Sequence, residues 1–466
     1  MRRLRVHDTL TGEVRPLEPR TPGRVGVYAC GPTVYAPVHV GNGRPFVVFA
    51  LLKRFLEHEG YDTTLVVNVT DVNDKIYDAA RERGVSSAEL AREMTERYRA
   101  DTDGLGLGRP DEEPLASESI EGIVDLIGAL VERGYAYEAG GDVYFRVDSF
   151  PEYGKLSNRP REEMRQGEDD LERPGLKESP VDFALWKAQK PGEDTAWDAP
   201  WGRGRPGWHI ECSAMAERAL GIPFDLHGGG SDLVFPHHEN EIAQTEAGRG
   251  MALSTLWMHN GMVRMGEEKM SKSVGNISLL GDALETVGRD ALVMYFVQGH
   301  YRQPLAFSEE ALHAARRSVD RLRELCRRLD REAGPPPGIE PYAERFWDAL
   351  ADDFNTARAR AVLFEWVTEA NRRIDAGERL GIGALEDMLW AIGFERLVDE
   401  AGGSPEVGGV AGGDGPPPEV EALLAEREAA RAARDWTTAD AKRDALTALG
   451  WEVRDTPDGP RLVSPS

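Results

Sequence analysis

A strand–helix–strand pattern near the N-terminus constrains the fold of this chain more than any other feature. Residues 25–29 ("VGVYA") form a short apolar strand, and a loop rich in glycine and proline follows. From about Gly43, apolar residues such as Phe46, Phe49 and Phe55 recur at helical spacing, and "TTLVVNVTDV" is a second β-branched run. A strand, a helix and a strand of these lengths form a βαβ unit, which predicts a parallel sheet covered by helices.

The rest of the chain divides by composition into several parts. Because 466 residues exceed one ordinary core, about two to four domains are expected. The α/β pattern covers 1–304, with an insertion at about 117–208 between the halves of a nucleotide-binding fold. Helical periodicity covers 305–400, and residues 401–418 hold seven glycines and four prolines, which is typical of a flexible linker. Residues 419–466 are expected to form a small α+β module.

Charge, cysteine content and hydropathy exclude several classes of protein. The 56 basic and 81 acidic residues give a net charge of −25, which argues against a general nucleic-acid coat but allows a local basic patch. Three cysteines are too few, and odd in number, for a disulfide scaffold. This count predicts that the protein resides in the reducing cytoplasm. No apolar run approaches the roughly 20 residues of a membrane span, and the N-terminus lacks the apolar region of a signal peptide.

The segment "FPHHENEIAQ" places four metal-capable side chains within five residues: His237, His238, Glu239 and Glu241. His237 and Glu241 are four residues apart, so on a helix they project from one face, a spacing that suits two zinc ligands. His238 and Glu239 are expected to face elsewhere, where they support the site or meet solvent. The H-E-x-x-H pattern of zinc proteases fails because position 242 is isoleucine.

Two cysteines can complete a four-ligand zinc site with His237 and Glu241. Cys30 follows the first strand, where a parallel sheet opens its ligand crevice, and Cys212 lies 25 residues before His237 in "HIECSAM". The alternative for each thiol is a small buried hydrophobic side chain. We expect that alternative for Cys326, which follows an apolar position of a leucine-rich helix.

Two short motifs suggest phosphate binding. "HVGN" (residues 39–42) stands between the first strand and the first helix, and a helix N-terminus attracts phosphate. "KMSKS" (residues 269–273), in the region of about 255–304, carries two lysines that could clamp a polyphosphate. In isolation, an incidental loop histidine and an exposed loop are the more common explanations of such short motifs. Neither a P-loop nor a dinucleotide fingerprint is present.

Together these motifs closely resemble those of the class I aminoacyl-tRNA synthetases. The segments "YACGPTVY", "NVTDVNDKI", "WHIECSAM", "FDLHGGGSDLVFPHHENEIAQ", "DDFNTARA" and "RDWTTADAKRDAL" are similar to those of the cysteinyl-tRNA synthetases, and the resemblance covers nearly the whole chain. It implies a Rossmann-like parallel-sheet catalytic domain with an insertion, a helical bundle that binds tRNA, and a small C-terminal anticodon-binding module.

The resemblance also implies the chemistry of the metal site. It assigns Cys30, Cys212, His237 and Glu241 as the ligands of one zinc ion that binds the thiolate of substrate cysteine. Serine lacks a thiolate, so selection would rest on chemistry rather than shape. Glu241 is the least secure ligand, because a catalytic zinc usually keeps an open position.

Further roles follow from the same resemblance. ATP, accompanied by Mg²⁺, and L-cysteine would react to a cysteinyl-adenylate, from which tRNA(Cys) takes the cysteinyl group. The family is usually monomeric and cytoplasmic. The residues concerned are, for the ATP site, His39, Asn42, Lys269 and Lys272; for the cysteine pocket, Thr70, Trp208, His209, His227 and His238; and for the anticodon, Arg431, Asp440 and Asp455.

One departure from the family pattern, one alternative interpretation and two rival functions remain. Asn73 in "NVTDVNDKI" stands where the family usually has aspartate, and "TTAD" (residues 437–440) can be read as a helix capping box rather than an anticodon contact. A ligase that joins cysteine to an amino-sugar would share the zinc and ATP motifs but should lack the C-terminal module. A zinc-binding regulatory protein would show damage in "HVGN" or "KMSKS", and both motifs are intact.

Overall fold

A computed structural model describes residues 2–159, 164, 175–265, 279–402, 418–432, 435–448, 452–456 and 459–463. The chain separates into two compact units, Met1–Gly402 and Gly403–Ser466. Across these described ranges, no helix combines the length and apolar character that a membrane crossing needs.

The N-terminal part contains the predicted βαβ unit. Its elements are β1 (Arg5–Asp8), β2 (Glu13–Pro16), β3 (Arg24–Ala29), α1 (Val40–His58), β4 (Asp62–Val67), α2 (Asp74–Arg83) and α3 (Ser87–Asp103). β3 and β4 pair in parallel from Arg24 opposite Asp62, and α1 buries Phe46, Phe49 and Phe55 in the main core. The strand–helix–strand prediction is therefore confirmed, although α1 begins at Val40 rather than near Gly43.

The region predicted as an insertion forms a sheet of its own. Its elements are α4 (Ile120–Glu132), β5 (Ala136–Ala139), β6 (Asp142–Phe145), β7 (Phe183–Ala188) and β8 (Gly204–Pro206). The four strands pair antiparallel in chain order. Aromatic residues such as Phe145, Phe183 and Trp186 fill a core that is separate from that of the parallel sheet. β8 leads directly into the next helix, which carries part of the site described below.

The chain then returns to the parallel sheet. The next elements are α5 (Trp208–Leu220), β9 (Phe224–Gly230), a π-helical turn (Val234–His238), α6 (Glu239–Arg249), β10 (Ser254–Asn260) and β11 (Val263–Met265). The sheet order is β10-β9-β3-β4, and its strands are all parallel, as expected. The carboxyl ends of β3, β4 and β9 therefore lie at one edge, where open α/β sheets bind their ligands.

Helices dominate the rest of the first unit. They are, with one strand, α7 (Leu280–Val287), α8 (Arg289–Val297), β12 (Leu305–Phe307), α9 (Glu309–Arg328), α10 (Glu340–Ala351), α11 (Thr356–Asp375), α12 (Leu385–Ala391) and α13 (Arg396–Gly402). Leu322 and Leu325 are buried on one face of α9, and Cys326 is buried beside them. Cys326 is thus the small hydrophobic residue that the sequence predicted, and burial raises the pKa of its thiol to about 11.

The second unit is a small α+β module. It contains α14 (Pro418–Ala432), α15 (Trp436–Ala448), β13 (Glu452–Thr456) and β14 (Gly459–Val463), and the two strands form an antiparallel hairpin. The interpretation of "TTAD" as a capping box is wrong, because α15 begins earlier, at Trp436. Its first turn is capped by Asp435, whose carboxylate accepts the backbone N–H of Thr438 at 3.1 Å.

Candidate metal centre and adjoining cavity

The metal-capable residues come from three elements that meet at the carboxyl edge of the sheet. Cys30 directly follows β3, and its backbone N–H donates to the carbonyl of Gly228 in β9 at 3.0 Å. Cys212 lies in the second turn of α5, and Glu241 lies in the first turn of α6. Strand pairing and helix packing, rather than proximity in the sequence, therefore bring these side chains together.

The four residues predicted as zinc ligands form one buried cluster. One potential ligand atom from each of Cys30, Cys212, His237 and Glu241 lies within 4.8 Å of all the others. Nε2 of His237 is 3.0 Å from Oε1 of Glu241, and Sγ of Cys30 donates to the same oxygen at 3.5 Å. Two thiols, an imidazole and a carboxylate are a donor set that suits a tetrahedral zinc ion.

The charges within this cluster favour a cation. A hydrogen bond from Cys30 is the main reason that the pKa of Cys212 is lowered to about 6, whereas burial raises the pKa of Cys30 well above its usual value. Burial would also raise the pKa of Glu241, but the charges of His227 and His237 hold it well below its usual range. Burial would lower the pKa of His237, but the charges of Glu241 and Cys212 raise it to about 10, so without a metal a protonated imidazole balances part of their charge. A divalent ion would take over that role in this space shielded from water.

Two further histidines belong to the same cluster. Cys30, His227, His238 and Glu241 form a second set of ligand atoms within 4.8 Å of one another. Nε2 of His238 is 3.2 Å from Sγ of Cys30, so the expectation that His238 faces away from the metal site is wrong. The reason is local: His238 lies three residues before Glu241, and positions three apart on a helix share a face just as positions four apart do. Nε2 of His238 accordingly lies 3.9 Å from Oε1 of Glu241.

Glu239 supports the site rather than meeting solvent. Its side chain is fully buried, and its carboxylate accepts the backbone N–H groups of Gly154 at 2.9 Å and Ser157 at 2.8 Å. These donors belong to the loop that follows β6. Glu239 therefore ties the inserted region to the start of α6, next to the cluster of metal-capable side chains.

The remaining residues predicted for the cysteine pocket surround His237 and Cys30. The Trp208 ring stacks on His237 with centroids 4.2 Å apart, and Nδ1 of His209 is 2.9 Å from Nδ1 of His237. Burial lowers the pKa of His209 well below its usual value. Thr70 is buried, and its backbone N–H donates to the carbonyl of Pro32, two residues after Cys30.

A cavity of about 490 Å³ adjoins this cluster. Its lining includes Cys30 and Trp208 as well as His39 and Asn42 of "HVGN". Lys75, near the start of α2, also lines the cavity. The cluster of metal-capable side chains and the N-terminus of α1 therefore border the same space, which can hold an amino acid beside a nucleotide.

"HVGN" is a helix cap as well as part of the cavity wall. Nδ1 of His39 accepts the backbone N–H of Gly41 at 3.1 Å, and Oδ1 of Asn42 accepts the backbone N–H of His39 at 3.0 Å. This reciprocal capping starts α1 at Val40, before the point that the apolar spacing indicates. Burial lowers the pKa of His39, which favours the neutral imidazole. Lys269 and Lys272 of "KMSKS" lie outside the described residues.

The residues predicted for the anticodon belong to the second unit. Arg431 lies in the last turn of α14 and is half-buried. Asp440 lies in α15 and Asp455 in β13, and their side chains are outside the described part of the structure.

Sequence reasoning missed two residues at the site. His259 at the end of β10 places Nε2 2.7 Å from Nδ1 of His238, and Lys75 lines the cavity. The signal for Lys75 was its place in "NVTDVNDKI", directly after the strand β4. His259 had no local signal, because only the pairing of β10 with β9 brings it near His238.

Comparisons with known proteins agree with this architecture. The family described as "tRNA synthetases class I (C) catalytic domain" matches residues 16–317, the DALR domain matches 345–393, and the "Cysteinyl-tRNA ligase anticodon binding domain" matches 414–460. A cysteine–tRNA ligase of Aliivibrio salmonicida is 45% identical over 462 residues, covering 98% of both chains. One from Desulforudis audaxviator is 43% identical over 476 residues, covering 98% of this chain and 99% of the relative.

Solved structures share the fold at low sequence identity. A Mycobacterium tuberculosis methionyl-tRNA synthetase in complex with methionyl-adenylate superposes with a TM-score of 0.59 at 16% identity, over 81% of this chain and 89% of that one. A putative arginyl-tRNA synthetase from Campylobacter jejuni gives a TM-score of 0.52 at 15% identity, over 83% and 94%. These likenesses establish a Rossmann-like class I synthetase fold.

Proposed function

Because the chain belongs to the class I cysteine–tRNA ligase family, whose members attach cysteine to tRNA, we propose that it activates cysteine as cysteinyl-adenylate and uses zinc to select the thiol. The observation that carries the proposal is the buried cluster of Cys30, Cys212, His237 and Glu241, which adjoins the same cavity as "HVGN". One end of the cavity suits a thiol, and the other suits a nucleotide.

The donor set supports zinc at the thiol end. Two sulfur ligands favour zinc over the oxygen-seeking Mg²⁺ and Ca²⁺. When bound, zinc supplies a Lewis acid that prefers a thiolate to the hydroxyl of serine. Shape alone would separate cysteine from serine by only about 1–3 kcal/mol. The remaining groups position the amino acid: Trp208 packs on His237, and His209 holds that ring from its other nitrogen.

The nucleotide end relies on the start of α1. Because Nδ1 of His39 accepts the N–H of Gly41, a neutral ring carries its proton on Nε2 and can donate it to a phosphate oxygen. The helix N-terminus adds its partial positive charge. The carboxylate of cysteine then attacks the α-phosphate of ATP, and pyrophosphate leaves. Lys272 would contact the phosphates, Lys269 would hold its loop closed, and Mg²⁺ would accompany ATP.

The partner of the activated cysteine is tRNA(Cys). Its terminal ribose hydroxyl takes the cysteinyl group from the adenylate. We assign the stem of the tRNA to the helices within 305–400 and the anticodon to the module within 419–466, which follows the linker 401–418. Arg431, Asp440 and Asp455 are the proposed anticodon contacts. We also propose that the protein acts as a monomer in the cytoplasm.

Transfer of labelled cysteine separates this function from its closest rival. The purified protein is incubated with ATP, labelled cysteine and either a tRNA(Cys) transcript or an amino-sugar acceptor. We expect label in acid-precipitable RNA and none on the amino-sugar. Label on the amino-sugar alone would contradict the proposal.

A further inference from the structure

One carboxylate holds two cations on neighbouring strands of the inserted sheet. Asp74, the first residue of α2, lies 2.9 Å from Nζ of Lys187 in β7 and also binds the guanidinium of Arg205 in β8. Lys187 and Arg205 stand directly opposite each other in the strand register. Like charges in that arrangement destabilise a strand pair, so Asp74 offsets a repulsion that the sheet cannot relieve by itself.

The junction is almost closed to water. The Arg205 side chain is 3% exposed, and its guanidinium lies 5.4 Å from the centre of the Tyr77 ring in α2. Nε of Arg205 is also 3.5 Å from Oε1 of Glu193, a weaker contact. Removing the Asp74 charge would leave a buried guanidinium short of its main partner, and β8 would have to shift to rehydrate it.

Two glycines, one at the start of β8 and one directly after it, bring the backbone into close contact with β7. A Cβ at Gly204 would lie 2.2 Å from the carbonyl oxygen of Lys187, and one at Gly207 would lie 2.0 Å from that of Ala184. The backbone N–H of Gly207 also donates to the carbonyl of Leu185 at 2.8 Å. Because β8 and β7 are in such close contact, a displacement of Arg205 is transmitted along the chain to Trp208, three residues later.

We propose that Asp74 is a positioning residue for amino-acid selection: by holding Arg205, it fixes Trp208 against His237 and so sets the width of the cysteine pocket. This inference rests on the proposed role of Trp208 in that pocket. Asp74 lies four residues after Thr70, and Arg205 lies three residues before Trp208. The ion pair of Asp74 with Arg205 therefore joins the two chain segments that supply these proposed walls of the pocket.

The test compares variants by cysteine-dependent ATP–pyrophosphate exchange. Asp74→Asn keeps the shape of the side chain and removes its charge, so we expect the KM for cysteine to rise ~10-fold while the KM for ATP changes less than about twofold. Bound zinc should stay at the wild-type level. Asp74→Glu restores a carboxylate and should recover most of the cysteine KM.

Asp194→Asn is the matched control. Asp194 accepts the backbone N–H of Ser87 at 2.8 Å and so ties the same insertion to α3 without touching β8. We expect it to lower thermal stability while leaving both KM values unchanged. If Asp74→Asn does not fold, Arg205→Lys decides, because it keeps the charge but loses the planar fork. It should raise the cysteine KM in the same direction.

An unchanged cysteine KM in Asp74→Asn, or in Arg205→Lys if the former is unfolded, overturns the inference. So does a parallel rise of both KM values. Failure of the proposed function looks different, because the wild-type protein itself would then show no cysteine-dependent exchange.

Discussion

Oε2 of Glu241 lies 2.8 Å from Nε2 of His227, a histidine outside the four residues assigned to zinc. The other carboxylate oxygen faces His237 at 3.0 Å. Glu241 therefore has a protein partner on each side of its carboxylate. This arrangement holds the carboxylate of Glu241, the least secure of the four proposed ligands, through a second contact that does not depend on a metal.

His227→Gln should weaken zinc binding without abolishing it. Partners that orient a metal ligand are typically worth ~10–100-fold in affinity, and His227 orients Glu241. Competition with a chromophoric chelator measures the zinc dissociation constant. His313→Gln on the exposed face of α9 is the control and should leave it unchanged. Equal affinities in wild type and His227→Gln would contradict the role of this contact.

Cysteine substitutions separate a ligand from a core residue. Cys212→Ala removes a proposed ligand, so bound zinc should fall from roughly one per chain to near zero by elemental analysis. Cys326→Ala removes another buried thiol, in α9, and the variant should keep its zinc while losing about 1 kcal/mol of stability. Retention of zinc by Cys212→Ala would refute the assigned ligand set.

Acid should remove the stabilising effect of Asp74. Burial alone would raise its pKa, but Arg205 and Lys187 lower it from 3.8 to about 2. A carboxylate with a lowered pKa stabilises the fold above pH 3.8, and this contribution disappears as the pH falls through about 2. The shift corresponds to about 2 kcal/mol. In urea titrations at pH 6, the free energy of unfolding of the wild type should exceed that of Asp74→Asn by about the same amount. The difference between the two proteins should shrink below pH 3.8. A gap independent of pH would exclude the charge as its cause.

Asn73→Asp should be nearly neutral. The side chain of Asn73 accepts the backbone N–H of Lys75 at 3.0 Å and so caps α2. Asparagine and aspartate cap helices about equally, which explains why this departure from the family pattern is tolerated. We expect a stability change below about 0.5 kcal/mol for Asn73→Asp and a loss of about 1 kcal/mol for Asn73→Ala. A large loss of exchange activity in Asn73→Asp alone would show that the missing charge matters.

The sequence predicted the parallel sheet because strands β3 and β4 and helix α1 have local periodicities that need no long-range information. It also proposed the set of Cys30, Cys212, His237 and Glu241, since strand ends and helical spacing restrict where such side chains can point. The structure brings those four together.

Two features depended on an unusual helix cap and on long-range pairing, and His238 was missed for a simpler reason. It lies three residues before Glu241, a spacing that shares a helix face as the four-residue spacing of His237 does. The helix α1 begins earlier than predicted because His39 caps it, and histidine is not one of the usual capping residues. The contact of Asp74 with Arg205 joins residues 131 positions apart, and no local pattern encodes it.

The most direct test of the central claim is ATP–pyrophosphate exchange with cysteine and with serine, before and after zinc removal by a chelator. The account predicts exchange with cysteine that exceeds exchange with serine by more than the ~10–200-fold that shape alone provides, and its loss on chelation and recovery with added zinc. Cysteine-dependent exchange that survives complete zinc removal, or equal exchange with serine, would contradict it.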